Sequence, residues 1–244
     1  MQPKNVSLVL GLLLPPSEGK ALGGDGPGFD PGDGRFGSLR AQRTEVLMAL
    51  RAVDGGDTAL LGVTGAHLDR ARSANLTAEG APTMPAGARY TGVVWDHLDL
   101  VSLPRAARVR ASEAVVVVSG LLGVVAVDDP VPDYRLKMGA SLAPFGVMSR
   151  WWRPTVTETL VAWARGRFVV DLLPEEHRAA FRPEPGIIDG VAVRFVERSG
   201  KVAGHDAKAA KGRLARHLLT SRAHPHRALR SWQDDRFDLD VRPL

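Results

Sequence analysis

Apolar residues fall along the chain in two kinds of pattern. Residues 6–14 (VSLVLGLLL) form a nearly unbroken apolar run closed by Pro15 and Pro16, and residues 111–118 end in four valines before Ser119 and Gly120. Runs of this length, bounded by turn residues, predict strands covered on both faces. Residues 167–172 and 191–197 predict two further strands, the second turned by Ser199-Gly200 into 201–203. Helical spacing marks 39–53 (Val46, Leu47, Leu50, Val53), 156–165 and 206–221. Residues 58–61, then Gly62-Val63-Thr64-Gly65, then 66–74 predict helix, tight turn, helix. The glycine- and proline-rich stretch 23–34 and the prolines within 128–133 predict loops, and 134–138 an extended segment. Strands and helices alternate without repeats or a long linker. The prediction is one α/β domain over 1–244, with a mixed central sheet flanked by helices.

Composition narrows the function classes. The chain has 244 residues, 44% hydrophobic and 24% charged, enough to bury a core and too apolar for wholesale disorder. It contains no cysteine, which excludes disulfides, thiolate metal sites and a cysteine nucleophile. The apolar run at 6–16 is too short to span a bilayer, has only Lys4 before it and no small-residue cleavage pattern after it. A soluble, cytoplasmic protein without membrane association is the expectation, and a monomer is favoured.

Charge is unevenly placed. The net charge is +5; residues 1–122 carry 12 basic and 12 acidic side chains, and the excess lies in the second half. Residues 194–230 hold ten basic residues against Glu197 and Asp206. Such an excess attracts phosphates or nucleic acid, or simply solvates a helix face.

Three segments place polar groups directly after or along apolar ones. Residues 15–20 (PPSEGK) follow the first strand with a hydroxyl (Ser17), a carboxylate (Glu18), a flexible glycine and a cation (Lys20); ligands of α/β sheets sit at such strand ends. Residues 119–123 (SGLLG) bring Ser119 and two glycines, Gly120 and Gly123, after the valine run, where backbone N–H groups can approach an anion or the chain can simply turn. In 134–139 (YRLKMG), alternation puts Tyr134, Leu136 and Met138 on one face and Arg135 and Lys137 on the other, as a phosphate contact or a solvated edge. The three aspartates of 23–34 lack calcium-loop spacing, and no ordered His and carboxylate set predicts a metal or cofactor. Glu176 and His177 are adjacent on the chain and, in a helix, face apart.

The helix at 207–220 is more specific. At about 100° per residue, Lys211 falls between Leu218 and Ala215, and Lys208 between Ala215 and Leu219, so both lysines project on the apolar stripe. Arg213, Arg216 and His217 take the other side. A lysine among core residues is costly unless it is paired, snorkels or lines a polar cleft.

These segments in this order resemble the YaaA family of peroxide-stress proteins. The resemblance runs from PPSEGK through Tyr90-Thr91-Gly92, SGLLG and YRLKMG to residues 207–216 (AKAAKGRLAR). It implies a single-domain α/β fold, a positively charged cleft, DNA binding and a role in limiting iron and oxidative DNA damage under peroxide. It also implies that a helix–hairpin–helix element at 59–76 contacts DNA, with Gly62 and Gly65 bounding a G-V-T-G turn where the family pattern is tighter. In 171–177, Glu176 matches the family's glutamate and His177 its tyrosine.

Two functions follow as expectations. In the first, Ser17, Lys20, Ser119, Gly120, Tyr134, Arg135, Lys137, Lys208 and Lys211 form one cleft for DNA or nucleotide phosphates, with Gly62 and Gly65 adding backbone N–H contacts. In the second, the same cleft is an enzyme site for a small phosphorylated or nucleobase-containing ligand, with Lys20 or Lys211 as base or nucleophile and Glu18 as partner. Direct iron binding is a third, without a ligand set to carry it.

Overall fold

The computed structural model describes residues 9–199 and 204–244. Residues 6–8 of the first predicted strand, and the turn and strand predicted over 200–203, lie outside the described residues. The chain runs β1 (Val9–Leu14), α1 (Arg40–Ala52), α2 (Thr58–Leu61), α3 (Ala66–Thr77), β2 (Met84–Pro85), α4 (Ala86–Arg89), α5 (Val93–Leu98) and α6 (Arg105–Ala114). It continues with β3 (Val115–Ser119), β4 (Gly123–Ala126), β5 (Pro130–Val131), β6 (Ser141–Leu142), β7 (Gly146–Val147), α7 (Met148–Trp163) and β8 (Arg167–Asp171). The last elements are α8 (Glu175–Arg178), β9 (Gly190–Glu197), α9 (His205–Thr220), α10 (Pro225–Ser231) and β10 (Phe237–Pro243).

A six-stranded mixed sheet of order β10-β9-β8-β1-β3-β4 forms the centre of an α/β fold. The strands β9, β8, β1 and β3 are parallel, and β10 and β4 are antiparallel edges. The apolar runs became the central strands because both their faces are covered: Leu12, Leu13, Leu14 and the four valines of β3 are fully buried. Each such side chain stabilises the fold by about 1.5–3 kcal/mol. Among the described residues, no helix is long and apolar enough to cross a membrane.

Local differences from expectation have plain causes. Residues 111–114 belong to α6 rather than to the valine strand; Ala107, Ala111 and Ala114 form a small apolar stripe that the neighbouring valines mask. SGLLG is the turn of the β3–β4 hairpin, with Val118 opposite Val124. The helix expected at 156–165 begins at Met148 and runs through Pro154. Residues 134–138 join no strand, yet their alternation holds: Tyr134, Leu136 and Met138 are buried.

The topology singles out one crevice. From β1 the chain crosses to β3 on one side, and from β8 to β9 on the other, although β1 and β8 are neighbours. The carboxyl ends of β1 and β8 therefore open onto a topological switch point, where α/β sheets place ligands.

A polar cleft at the carboxyl edge of the sheet

The loop after β1 starts under Trp95 of α5, whose indole N–H donates to the Pro15 carbonyl at 3.2 Å. It ends at Lys20, which forms a β-bridge with Tyr90. The Lys20 ammonium donates to the Ser17 carbonyl at 3.1 Å and lies 4.2 Å from the centre of the Tyr134 ring. Burial lowers its pKa to about 8 against the pull of Glu18 and Asp133. Behind it, the Tyr134 hydroxyl is 2.9 Å from that of Tyr90 and 2.7 Å from that of Ser119, and the Ser119 oxygen accepts the Leu122 N–H. Burial raises the Tyr90 phenol to about 12 and Tyr134 well above its usual value.

Ser119 and Gly120 thus lie beneath the cleft, whereas Tyr134, though buried, contributes to the lining of the recess. Ser119 is fully buried with its hydroxyl engaged. Gly120 packs so closely on the 136–137 backbone that a Cβ would lie 2.5 Å from the Leu136 carbonyl. Its own carbonyl accepts the Trp152 indole N–H.

Arg135 and Lys137 take the outward face predicted for them. Arg135 pairs with the Glu18 carboxylate at 2.7 Å and donates through Nε to the Leu61 carbonyl, the last of α2. Lys137 lies 3.8 Å from the same carboxylate. Gly62, left-handed at φ 65°, closes α2, and a Cβ there would lie 3.1 Å from the Lys137 ammonium. Gly65, also at positive φ, begins α3 without a side-chain cap. The turn between α2 and α3 therefore rests on the two cations. Asn75 of α3 fixes the arrangement, donating to the Arg135 carbonyl and accepting its N–H. A recess of ≈ 250 Å³ lies between these parts, lined by Glu18, Lys20, Val63, His67, Arg70 and Arg135, among others.

The other wall rises from the end of β8. Asp171 is fully buried, with Arg178 at 2.7 Å and the Leu173 N–H on its other oxygen. Burial outweighs that pairing and raises its pKa. Lys211 reaches over from α9 and donates to the Leu172 carbonyl at 2.7 Å; burial lowers its pKa to about 8. A close α5–α9 contact positions it, since a Cβ at Gly212 would lie 2.3 Å from the Val94 carbonyl. Lys208, one turn earlier, is exposed, so the helix start lets it snorkel off the stripe.

His177 lies in α8, after the end of β8. Both Glu18 and Lys211 act on its charge, and burial lowers its pKa to about 4. The adjacency of Glu176 and His177 concealed this, because Glu176 is engaged elsewhere, its carboxylate accepting the Gly139 N–H at 2.7 Å. The lining residues His67 and Arg70 are singled out by no pattern in the sequence alone, whereas Thr91 and the buried Asp171 lie in segments that carry the family resemblance.

Glu18, Lys20 and Arg135 thus line one recess, with Lys137 near the Glu18 carboxylate and beneath Gly62, while the Lys211 ammonium sits at the end of the neighbouring strand β8. Lys201 of the basic stretch 194–230 lies outside the described residues, and four of the others are paired. Arg194 pairs with Glu175, Arg198 with Asp238, Arg213 with Asp234 and Arg216 with Asp99, all acids outside the segment. Among the described residues no three His, Asp or Glu gather where they could hold a metal ion.

The chain is 38% identical over 221 residues to a UPF0246 protein of Streptomyces coelicolor, covering 88% of this chain and 84% of that one. It is 33% identical over 222 residues to a UPF0246 protein of Corynebacterium glutamicum, covering 89% and 88%. A UPF0246 protein of Caulobacter vibrioides is 29% identical over 213 residues, covering 83% and 82%. Residues 10–242, nearly everything from β1 to β10, match the family model described as peroxide stress protein YaaA, and the chain belongs to that family.

Proposed function

We propose that the cleft grips the phosphates of DNA, and that this contact limits iron-dependent oxidative damage during peroxide stress. The observation that carries the reading is the seating of the α2–α3 turn on Arg135 and Lys137. An exposed glycine turn, an uncapped helix N-terminus and two cations on one side of the molecule are a phosphate-gripping set. Contacts of this kind read charge and shape rather than bases.

Fluorescence anisotropy on labelled duplexes of unrelated sequence tests it. Affinity should be independent of sequence and fall with salt at a log–log slope of about −0.9 per phosphate neutralised. Lys137→Gln should weaken binding uniformly and reduce that slope by about one. Binding indifferent to salt would overturn the reading.

One observation favours an enzyme instead. Lys20 and Lys211 have pKa values of about 8, where a lysine can hold or release a proton at working pH, whereas gripping DNA benefits from full charge. The ≈ 250 Å³ recess admits a small phosphorylated ligand rather than a duplex. In that case Lys20 or Lys211 is the base and Glu18 its partner. Turnover of a nucleotide or sugar phosphate that both Lys20→Met and Lys211→Met abolish would establish it.

A further inference from the structure

A second recess, of ≈ 280 Å³, opens at the carboxyl end of β8 and shares no lining residue with the first. One row of the sheet crosses it: Asp171 of β8 stands opposite Ala192 of β9, and Ala192 opposite Arg242 of β10. All three line the recess, and the short Ala192 side chain leaves room between a fully buried carboxylate and a guanidinium. Glu175 and Arg178 of α8, Arg182, and Arg194 of β9 complete the charged lining. Phe181, Pro183 and Pro243 add apolar surface.

Four arginines thus share this lining with two acidic side chains. Asp171 lies 2.7 Å from Nε of Arg178. Glu175 holds two of the arginines, at 3.0 Å from Arg178 and 2.6 Å from Arg194. Arg242 is 2.9 Å from Asp240, which stands outside the lining. Arg182 is left over. Among the described residues its guanidinium has no ion pair and no hydrogen bond, and only its backbone N–H is held, by the Thr157 hydroxyl at 3.1 Å. Leu244, also in the lining, joins no ion pair among the described residues.

A guanidinium offers five N–H donors in a planar fork that matches the oxygens of a carboxylate or a phosphate. Arg178 spends donors on Asp171, Glu175 and the Leu173 carbonyl, which fixes it in place. The acids therefore anchor part of the arginine cluster and leave the donors of Arg182 uncommitted beside a hollow with apolar surface. A charged group on a small carbon body satisfies both parts of such a lining. We infer that this second recess binds a small organic anion, a phosphate monoester or a carboxylate, and that Arg182 donates to its oxygens. Both sources present the same oxyanion chemistry, and the probe that saturates tells them apart. The site stands apart from the DNA-phosphate reading of the first cleft, because no residue is common to the two linings.

Titration calorimetry of the natural protein with glycerol 3-phosphate and with succinate tests it. One of the two should saturate at one molecule per chain. Arg182→Met, whose parent side chain bonds to nothing in the fold, should weaken that binding about tenfold or more. Ala192→Leu, which fills the recess without touching a charge, should cause a loss of the same order. Arg105→Met removes a charge from α6, outside the lining, and Lys137→Gln removes one from the first cleft. Both should stay within about twofold, since salt screens distant charges. Saturation by neither probe would overturn the inference, as would a folded Arg182→Met or Ala192→Leu that binds as tightly as the natural protein. A loss in Arg105→Met equal to that in Arg182→Met would reduce the effect to net charge and overturn it as well. An equal loss in Lys137→Gln would place the anion in the first cleft, with the same consequence.

Discussion

Lys211 and His177 are bases held in places that favour their neutral forms, and this ties stability to pH with a definite sign. An unfolded lysine keeps its proton to about 10.5, whereas Lys20 and Lys211 release theirs near 8. Between those values the unfolded chain binds more protons, so stability rises with pH. Above about pH 10 the raised tyrosines act in the opposite sense, because the unfolded phenols ionise first. Thermal melts between pH 8 and 9.5 should therefore show a gain, on the order of 1 kcal/mol once solvent screening is allowed for. Lys211→Met should remove its share of that gain and keep or raise the melting temperature at pH 7, while weakening ligand binding. A melting temperature level over this window in both proteins would refute the buried ammonium. His177 acts on the acid side: its pKa of about 4 against 6.5 unfolded means stability is lost as pH falls from 6.5 towards 4. His177→Gln should flatten that limb. Arg216, on the other face of α9, donates to the Leu98 and Asp99 carbonyls, so Arg216→Met should lower the melting temperature and leave the cleft's binding intact.

At the scale of elements, the site depends on backbones that approach too closely for side chains. The β3–β4 turn touches the 136–137 backbone at Gly120, and α9 touches α5 at Gly212. Gly120→Ala would push the Arg135–Lys137 segment outward, since the clash is with backbone that cannot rotate away. Overpacking of this kind costs about 1–3 kcal/mol. The expected outcome is a lower denaturation midpoint and weaker ligand binding together. Full binding with only lower stability would show that the segment's position is not set by this contact.

At the scale of the molecule, two buried arginines hold the long glycine-rich loop to the sheet. Arg43 donates to the carbonyls of Pro31, Asp33, Leu122 and Val124, and Arg89 to those of Ala21, Gly23, Pro82 and Val131. Burial lowers Arg43 to about 10, so it remains charged at neutral pH. Arg43→Leu would strand buried carbonyls at about 1–3 kcal/mol for each one left unsatisfied. Chemical denaturation should register a loss of several kcal/mol, and a loss under about 1 kcal/mol would mean that water replaces the guanidinium. The same loop carries Asp30 and Asp33, whose carboxylates cap local backbone N–H groups.

Local physics made much of this protein legible from its amino acids. Unbroken apolar runs predicted β1 and β3 because strands covered on both faces need no polar positions. Alternation placed Arg135 and Lys137 outward, and helical spacing placed Lys211 on the buried side of α9. The family pattern was carried by short segments whose order is a property of the chain. Other features were decided only by contacts between distant residues. Lys208 and Lys211 share one stripe, and the packing of α9 against α5 and the end of β8 decided which of them is buried. Four arginines of the basic stretch 194–230 are paired with acids supplied from elsewhere in the chain. Glu18 and Lys211 both act on the charge of His177, and the loops that carry Glu18 and His177 follow β1 and β8, neighbours in the sheet although more than 150 residues apart, a pairing that no local pattern encodes.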